Sequence, residues 1–188
     1  LASCDHDVHD GEEEGGLSVS LTWADEADQG TDVKDVKLWI FDADKGSLIE
    51  EKHYGSTEEV ASQRFQLPEG TYRILTTTNL TEPFFISEQT RSLTNWNNIQ
   101  IGLTNPKDVR NNAYFGVTDV RIDNKEGNYV VQNPVKSMLA ELTIIIENVP
   151  KGTEMSGKAL DCAWCLFPTL KNSDGEYGLP SIEPTEVE

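Results

Sequence analysis

An all-β fold, an antiparallel β-sandwich, is predicted by three features of the sequence. Short apolar segments with alternating or β-branched residues recur along the chain. Turn-forming residues separate them, and no helical periodicity lasts longer than about two turns. Of the 188 residues, 37% are hydrophobic and 26% charged, which is enough apolar content for a core and room for one large domain or one domain plus part of a second.

Leu17, Val19, Leu21 and Trp23 alternate with Ser18, Ser20 and Thr22, the pattern of a strand with one buried face. After a polar loop, Val36, Leu38 and Ile40 alternate with Lys37, Trp39 and Phe41. Both faces of that segment are largely apolar, so it is expected at the centre of a sheet. Asp42-Ala43-Asp44-Lys45-Gly46 is turn chemistry and leads into Ser47–His53 as a hairpin partner. The same string has the look of a calcium loop, but its glycine comes one position too early for an EF-hand and helical flanks are missing.

Ser62–Leu67 reads as a short strand, and Pro68 and Gly70 then bend the chain into a strand over Tyr72–Thr78. Residues 80–112 are less regular, with Phe84-Phe85-Ile86 and Trp96–Leu103 as apolar anchors. Ala113–Ile122 and Tyr129–Gln132 form strands on either side of a turn at Lys125–Asn128. Met138–Glu147 is the most strongly β-forming stretch, and Leu160–Leu166 is a last candidate strand. The expected sandwich core contains Leu17, Leu21, Trp23, Leu38, Ile40, Tyr72, Ile74, Leu142 and Ile144.

The formal net charge is −18. A surface this acidic repels phosphate backbones, so no nucleic-acid partner is expected. The charge is concentrated at the ends: residues 1–16 hold six acidic groups and residues 172–188 hold five, with no Lys or Arg in either segment. Residues 1–16 read as a solvated tether and 172–188 as an acidic mobile tail. No apolar run approaches the ~20 residues of a transmembrane helix.

Leu1-Ala2-Ser3-Cys4 looks like a bacterial lipobox, with the chain beginning inside the signal peptide. Cys4 is therefore the expected lipidation site, and acyl chains would supply about 0.8 kcal/mol per buried methylene. The acidic run after Cys4 resembles the surface-export signal of Bacteroidetes lipoproteins. His6 and His9 stand among aspartates in this tether, but ordering a mobile segment around a metal is costly, and no metal is expected.

Catalysis needs a constellation that the sequence does not assemble. His53, the third histidine, sits in a charged hairpin. Nucleophile-elbow, zinc-protease and phosphate-loop motifs are missing, and the carboxylates are scattered over turns and polar strand faces. Cys162-Ala163-Trp164-Cys165 is a C-x-x-C pair, but it is read on a strand or irregular apolar segment rather than at the start of a helix that would activate a thiol. Two small buried residues, or a local disulfide, is the better reading. No enzyme activity and no cofactor are expected.

Four ordered segments carry a family resemblance. They are Val19–Trp23, Val36–Asp42, Leu67–Tyr72, and Tyr114-Phe115-Gly116 followed by Pro134-Val135 and the strand from Met138. Together, over roughly residues 1–150, they resemble the fimbrillin-like anchor and accessory subunits of Bacteroidales fimbriae, the FimB-like group. The resemblance implies a transthyretin-like sandwich over 17–133, tethered to the outer membrane through a lipidated Cys and displayed at the surface, with other fimbrial subunits as partners through strand addition. It also implies a second sandwich domain after the Met138–Glu147 strand. About 40 residues follow that strand, too few for another full sandwich, so 134–171 is expected to be the start of a truncated or reduced second β domain.

In the related stalk fimbrillins, cleavage after an Arg removes the first strand and opens a groove for the next subunit's strand. Here the first basic residue is Lys34 and the first Arg is Arg64, inside the domain. The Leu17–Trp23 strand is thus expected to stay in place, as in a fixed base or accessory subunit. The alternative is a surface glycan-binding lipoprotein, with Trp39, Trp96 and Trp164 as candidate stacking residues if exposed.

Overall fold

The computed structural model describes residues 15–87, 94–105, 111–139, 144–157, 162–163 and 165–181. The strands, in chain order, are β1 Gly16–Trp23, β2 Val36–Asp42, β3 Leu48–Tyr54, β4 Gly70–Thr78, β5 Phe84–Ser87, β6 Gln100–Leu103, β7 Tyr114–Ile122, β8 Asn128–Ser137, β9 Cys165–Lys171 and β10 Tyr177–Pro180. One short helix, α1 Thr57–Ala61, follows β3. Among the described residues a six-stranded sheet has the order β1-β8-β7-β4-β2-β3 and a four-stranded sheet the order β10-β9-β6-β5. The fold is the all-β sandwich that the pattern predicts.

β2 shows why the sheets stack as they do. Val36, Leu38 and Ile40 enter one core with Leu17 and Val19 of β1 and Tyr72 and Ile74 of β4. Trp39 and Phe41, on its opposite face, pack with Leu75, Trp96 and Ile99. A third apolar cluster, with Leu80, Phe84, Ile101 and Phe115, joins β7 to the four-stranded sheet. β2 is therefore covered on both faces, as its doubly apolar pattern requires. The ladder between β7 and β8 is limited to Tyr114↔Ser137 and Phe115↔Lys136. Beyond it, the β1–β8 ribbon shares its core with the face of β2 and β4.

Two turns follow the predicted chemistry. Asp42 Oδ1 accepts the backbone N–H groups of Asp44 and Lys45 at 3.0 and 2.9 Å, and Gly46 takes φ 74°, so the Asp-Ala-Asp-Lys-Gly string is the β2–β3 hairpin turn. β3 is the outer strand of its sheet, and its Glu50, Glu51, Lys52 and His53 put charge on an edge that would otherwise template aggregation.

Several expectations are corrected. β1 pairs with β8 in parallel over its full length, from Gly16↔Asn128 to Trp23↔Val135, whereas the other ladders are antiparallel. Ser62–Leu67 is not a strand: Phe65 makes a lone bridge to Leu17. The preceding Ser56-Thr57-Glu58-Glu59 instead starts α1, with Ser56 Oγ accepting from Glu59 N at 3.2 Å and Glu59 Oε2 accepting from Gly55 N at 2.8 Å. β8 extends past Gln132 through Pro134 to Ser137. Pro134 lacks an N–H, and the β7–β8 ladder starts only beyond it.

Of the expected core, Leu17, Leu38, Ile40, Tyr72 and Ile74 are buried. Leu21 and Trp23 are half-buried, since they lie on the last residues of β1 where it runs out to the sandwich rim. Ile144 is 71% exposed, and residues 144–147 of the expected Met138–Glu147 strand have no ladder partner. Leu142 lies outside the described residues. Residue 134, expected to open a second region, is inside β8, and β9 pairs with β6 through Ile101↔Leu166 and Gly102↔Cys165. Residues 172–181, expected in the mobile tail, form a turn and β10, because Asn172 Oδ1 accepts the N–H groups of Asp174 and Glu176 and Gly175 takes φ 83°. Residues 182–188 lie outside the described residues.

Candidate interaction surfaces

The expected lipidation site, Cys4, and the tether residues His6 and His9 lie outside the described residues. What is described is where the tether enters the fold. Gly16 N donates to Gly127 O at 2.8 Å, and Leu17 exchanges backbone hydrogen bonds with Phe65 at 3.0 and 2.8 Å. Gly16 takes φ 140°, a conformation open to glycine, and the chain turns directly into β1 there. With Leu17 and Val19 fully buried, β1 is an integral strand of the sandwich.

Two hollows flank the loop after β1. The first, of about 340 Å³, lies beside Leu21, Thr22 and Trp23, with Val33, Thr57 and Val135 also on its walls. The second, of about 450 Å³, lies on the other side of Thr31 and Asp32, against the segments that follow β4 and precede β7. Asn79 holds the loop between them: its Oδ1 accepts from Lys34 N at 3.0 Å and its Nδ2 donates to Asp32 O at 2.9 Å. Asn79 takes φ 54°, a left-handed conformation that asparagine tolerates better than most residues. The Lys34 ammonium lies 2.9 Å from Asp32, which raises its pKa through the hydrogen bond first and the opposite charge second.

A clamp of charge and aromatic rings seats the C-terminal hairpin. Arg73 on β4 donates from Nε and an Nη to the two carboxylate oxygens of Asp119 on β7, at 2.7 and 2.8 Å. Its guanidinium lies 5.1 Å from the ring centroids of both Trp96 and Tyr177. The two rings meet edge-on at 5.7 Å, and Tyr177 Oη also reaches Asp119 Oδ2 at 3.4 Å. The carboxylate raises the Arg73 pKa, chiefly through these hydrogen bonds.

The third surface is apolar. Ile144, Ile145 and Ile146 are 71%, 79% and 57% exposed. They are followed by Asn148 at φ 58° and by a turn at Pro150–Thr153. A run this β-prone and this exposed is a candidate interaction surface.

Other predicted residues are placed as follows. Trp39 and Trp96 are 1% and 3% exposed and serve the core, so neither offers a ring to a sugar; Trp164 lies outside the described residues. Cys165 is buried on β9, with its pKa raised by burial, and Cys162 is half-buried. No group of three or more His, Cys, Asp or Glu residues among the described residues could hold a metal, and no described helix is long and apolar enough to cross a membrane. The hollows escaped sequence reasoning because their walls come from separate loops. Asn79, directly after a strand and before Leu-Thr, was the one local signal of a special turn.

A family model described as fimbrillin-A associated anchor proteins Mfa1 and Mfa2 matches residues 4–177. The chain belongs to this family. That agrees with the resemblance carried by the ordered strand segments. Among solved structures, this member of the anchor family is similar to a candidate adhesin from Bacteroides thetaiotaomicron, with a TM-score of 0.59 and 13% identity over 93% of this chain and 61% of that one. It is similar to a candidate polysaccharide-binding protein from the same organism, with a TM-score of 0.53 and 15% identity over 66% and 48% of the two chains. A candidate adhesin from Bacteroides ovatus matches with a TM-score of 0.50 and 20% identity over 66% and 45%. At these identities the likeness is one of fold. The anchor-family chain spans about half the length of these structures. No curated protein matches it.

Proposed function

We propose that this chain is a non-catalytic, surface-displayed lipoprotein that acts as an anchor or accessory subunit of a fimbria. Membership of the anchor family supports this reading. The observation that carries it is the seating of β1. The segment that follows the tether is paired with β8 over all eight of its residues and buries Leu17 and Val19. A pull applied through residue 15 runs along β1 and loads its hydrogen bonds to β8 together, which suits a chain end that must bear tension. In this reading Cys4 carries the lipid that holds the protein at the outer membrane, and residues 1–16 are the spacer. The sandwich runs from β1 to β10, with β8 continuing through residue 134 and β9 pairing with β6. The exposed isoleucines at 144–146 supply the unpaired β-prone segment through which other fimbrial subunits are engaged by strand addition. The placement of Arg64 beyond β1 keeps the anchoring strand out of reach of an Arg-specific protease.

The test is fractionation of cells that express the protein with Cys4 or with Cys4→Ala. The variant is expected in the soluble fraction and the native form in the outer membrane. Membrane retention of the variant, or a mature N-terminus beyond Trp23 in protein isolated from fimbriated cells, overturns the reading.

A further inference from the structure

We propose that the 450 Å³ hollow between the loop after β1 and the ends of β4 and β7 is a binding site for a neutral saccharide. Its volume falls in the range of small-ligand sites, about 300–1,000 Å³. All nine of the described residues that line it carry hydrogen-bonding side chains. An apolar ligand would strip water from these groups without replacing its hydrogen bonds.

The charges on its described walls select against anions, and no group of three or more His, Cys, Asp or Glu residues among the described residues could hold a metal cation. Among the described residues that line it, Asp32 and Asp35 face one cation, Lys34, which is already held by Asp32 at 2.9 Å, and Asp35 is paired from outside the hollow with His53. An anion would meet a net negative wall. The remaining set consists of three amides, Asn79, Asn111 and Asn112, and the hydroxyls of Thr31, Thr81 and Tyr114. Each of these groups both donates and accepts, and so does each sugar hydroxyl.

Part of the wall is held rigid, and part is free to bind. Asn79 is pinned to the backbone of Asp32 and Lys34. Asn112 is tied to Ser137 Oγ at 2.8 Å, and Tyr114 Oη donates to Asp28 Oδ1 at 3.1 Å. The side chains of Thr81 and Asn111 are exposed at the rim and make no hydrogen bond among the described residues. Fixed donors and acceptors reduce the ordering cost of binding. Recognition here rests on hydrogen bonds rather than on stacking, since the aromatic side chain among the described lining residues, Tyr114, is only 4% exposed.

The site can be tested on the full chain by two-dimensional NMR with three separate probes: neutral glucose, mannose and galactose hexasaccharides as one set, a sulfated oligosaccharide, and calcium chloride alone. A neutral hexasaccharide is expected to shift the side-chain amides of Asn79, Asn111 and Asn112. The double variant Thr81→Ala/Asn111→Ala, both exposed positions, is expected to weaken that binding at least tenfold with an unchanged melting temperature. Shifts confined to the sulfated probe or to calcium overturn the proposal. So does a hexasaccharide that shifts residues elsewhere, the failure of every neutral probe, or unchanged affinity in the double variant. Because none of these readouts involves Cys4, the anchoring reading stands or falls separately.

Discussion

Removing the guanidinium of Arg73 should loosen the C-terminal hairpin before it loosens the rest of the sandwich. Arg73 is 18% exposed and Asp119 40% exposed, so their bidentate ion pair is partly screened and contributes no more than about 1 kcal/mol. The two rings at 5.1 Å add roughly 0.5–1 kcal/mol each at this depth. Arg73→Ala is therefore expected to cost about 1–3 kcal/mol in urea unfolding, or roughly 2–12 °C in melting temperature for a chain of this size. Arg73→Lys keeps the charge but loses the planar fork and the stacking, so it should recover less than half of the loss. A double-mutant cycle of Arg73→Ala with Tyr177→Ala isolates the contact between β4 and β10 and should show a coupling of about 0.5–1 kcal/mol. Hydrogen exchange at residues 177–180 should accelerate in Arg73→Ala while exchange in β2 stays slow. A lysine variant as stable as the native protein, or a coupling indistinguishable from zero, would refute the clamp.

Three further outcomes follow from the packing and the turns. Ile40→Ala empties a fully buried position at the centre of the first core and should cost about 2–5 kcal/mol by chemical denaturation, with a loss below 1 kcal/mol showing that the site is loosely packed. Gly116→Ala places a methyl 2.6 Å from Pro134 O and 2.7 Å from Asn133 Oδ1, so it must push β7 from β8 at a cost of about 1–3 kcal/mol; an unchanged denaturation midpoint would contradict the close approach. The Asp42 carboxylate accepts backbone hydrogen bonds, first from Lys45 N, which lower its pKa. Its stabilisation of the β2–β3 turn is present at neutral pH and is lost as pH falls through the lowered pKa. A carboxyl NMR titration should place its midpoint below that of an ordinary aspartate, and a midpoint at or above that value would remove the turn from its assigned role.

Some features were legible because their cause is local. The alternation in Leu17–Trp23, the doubly apolar Val36–Phe41 and the Asp42–Gly46 turn each state a backbone conformation and a burial pattern within a few residues. The α1 cap was also legible in principle, since Ser56 and Glu59 form a capping pair, but five residues are too few for periodicity to show. Met138–Glu147 failed for the opposite reason. Its propensity is strongly β, yet propensity expresses itself only against a partner strand, and residues 144–147 have none among the described residues.

By itself, then, the sequence determined the all-β class, the strands around Leu17–Trp23, Val36–Asp42 and Tyr72–Thr78, most of their buried faces, and the family to which the ordered segments belong. Those properties depend on side-chain period, turn residues and short segments whose meaning does not require distant neighbours. Tertiary structure alone decided the parallel pairing of β1 with β8, whose partners Gly16 and Asn128 are far apart in the chain. It also decided the seating of β10 by Arg73 and Tyr177, and the meeting of Asn79, Asn111 and Asp32 around one polar hollow. The period of a strand says which face is buried but not which strand lies beside it, and that choice is made only when the separate apolar faces find a common core.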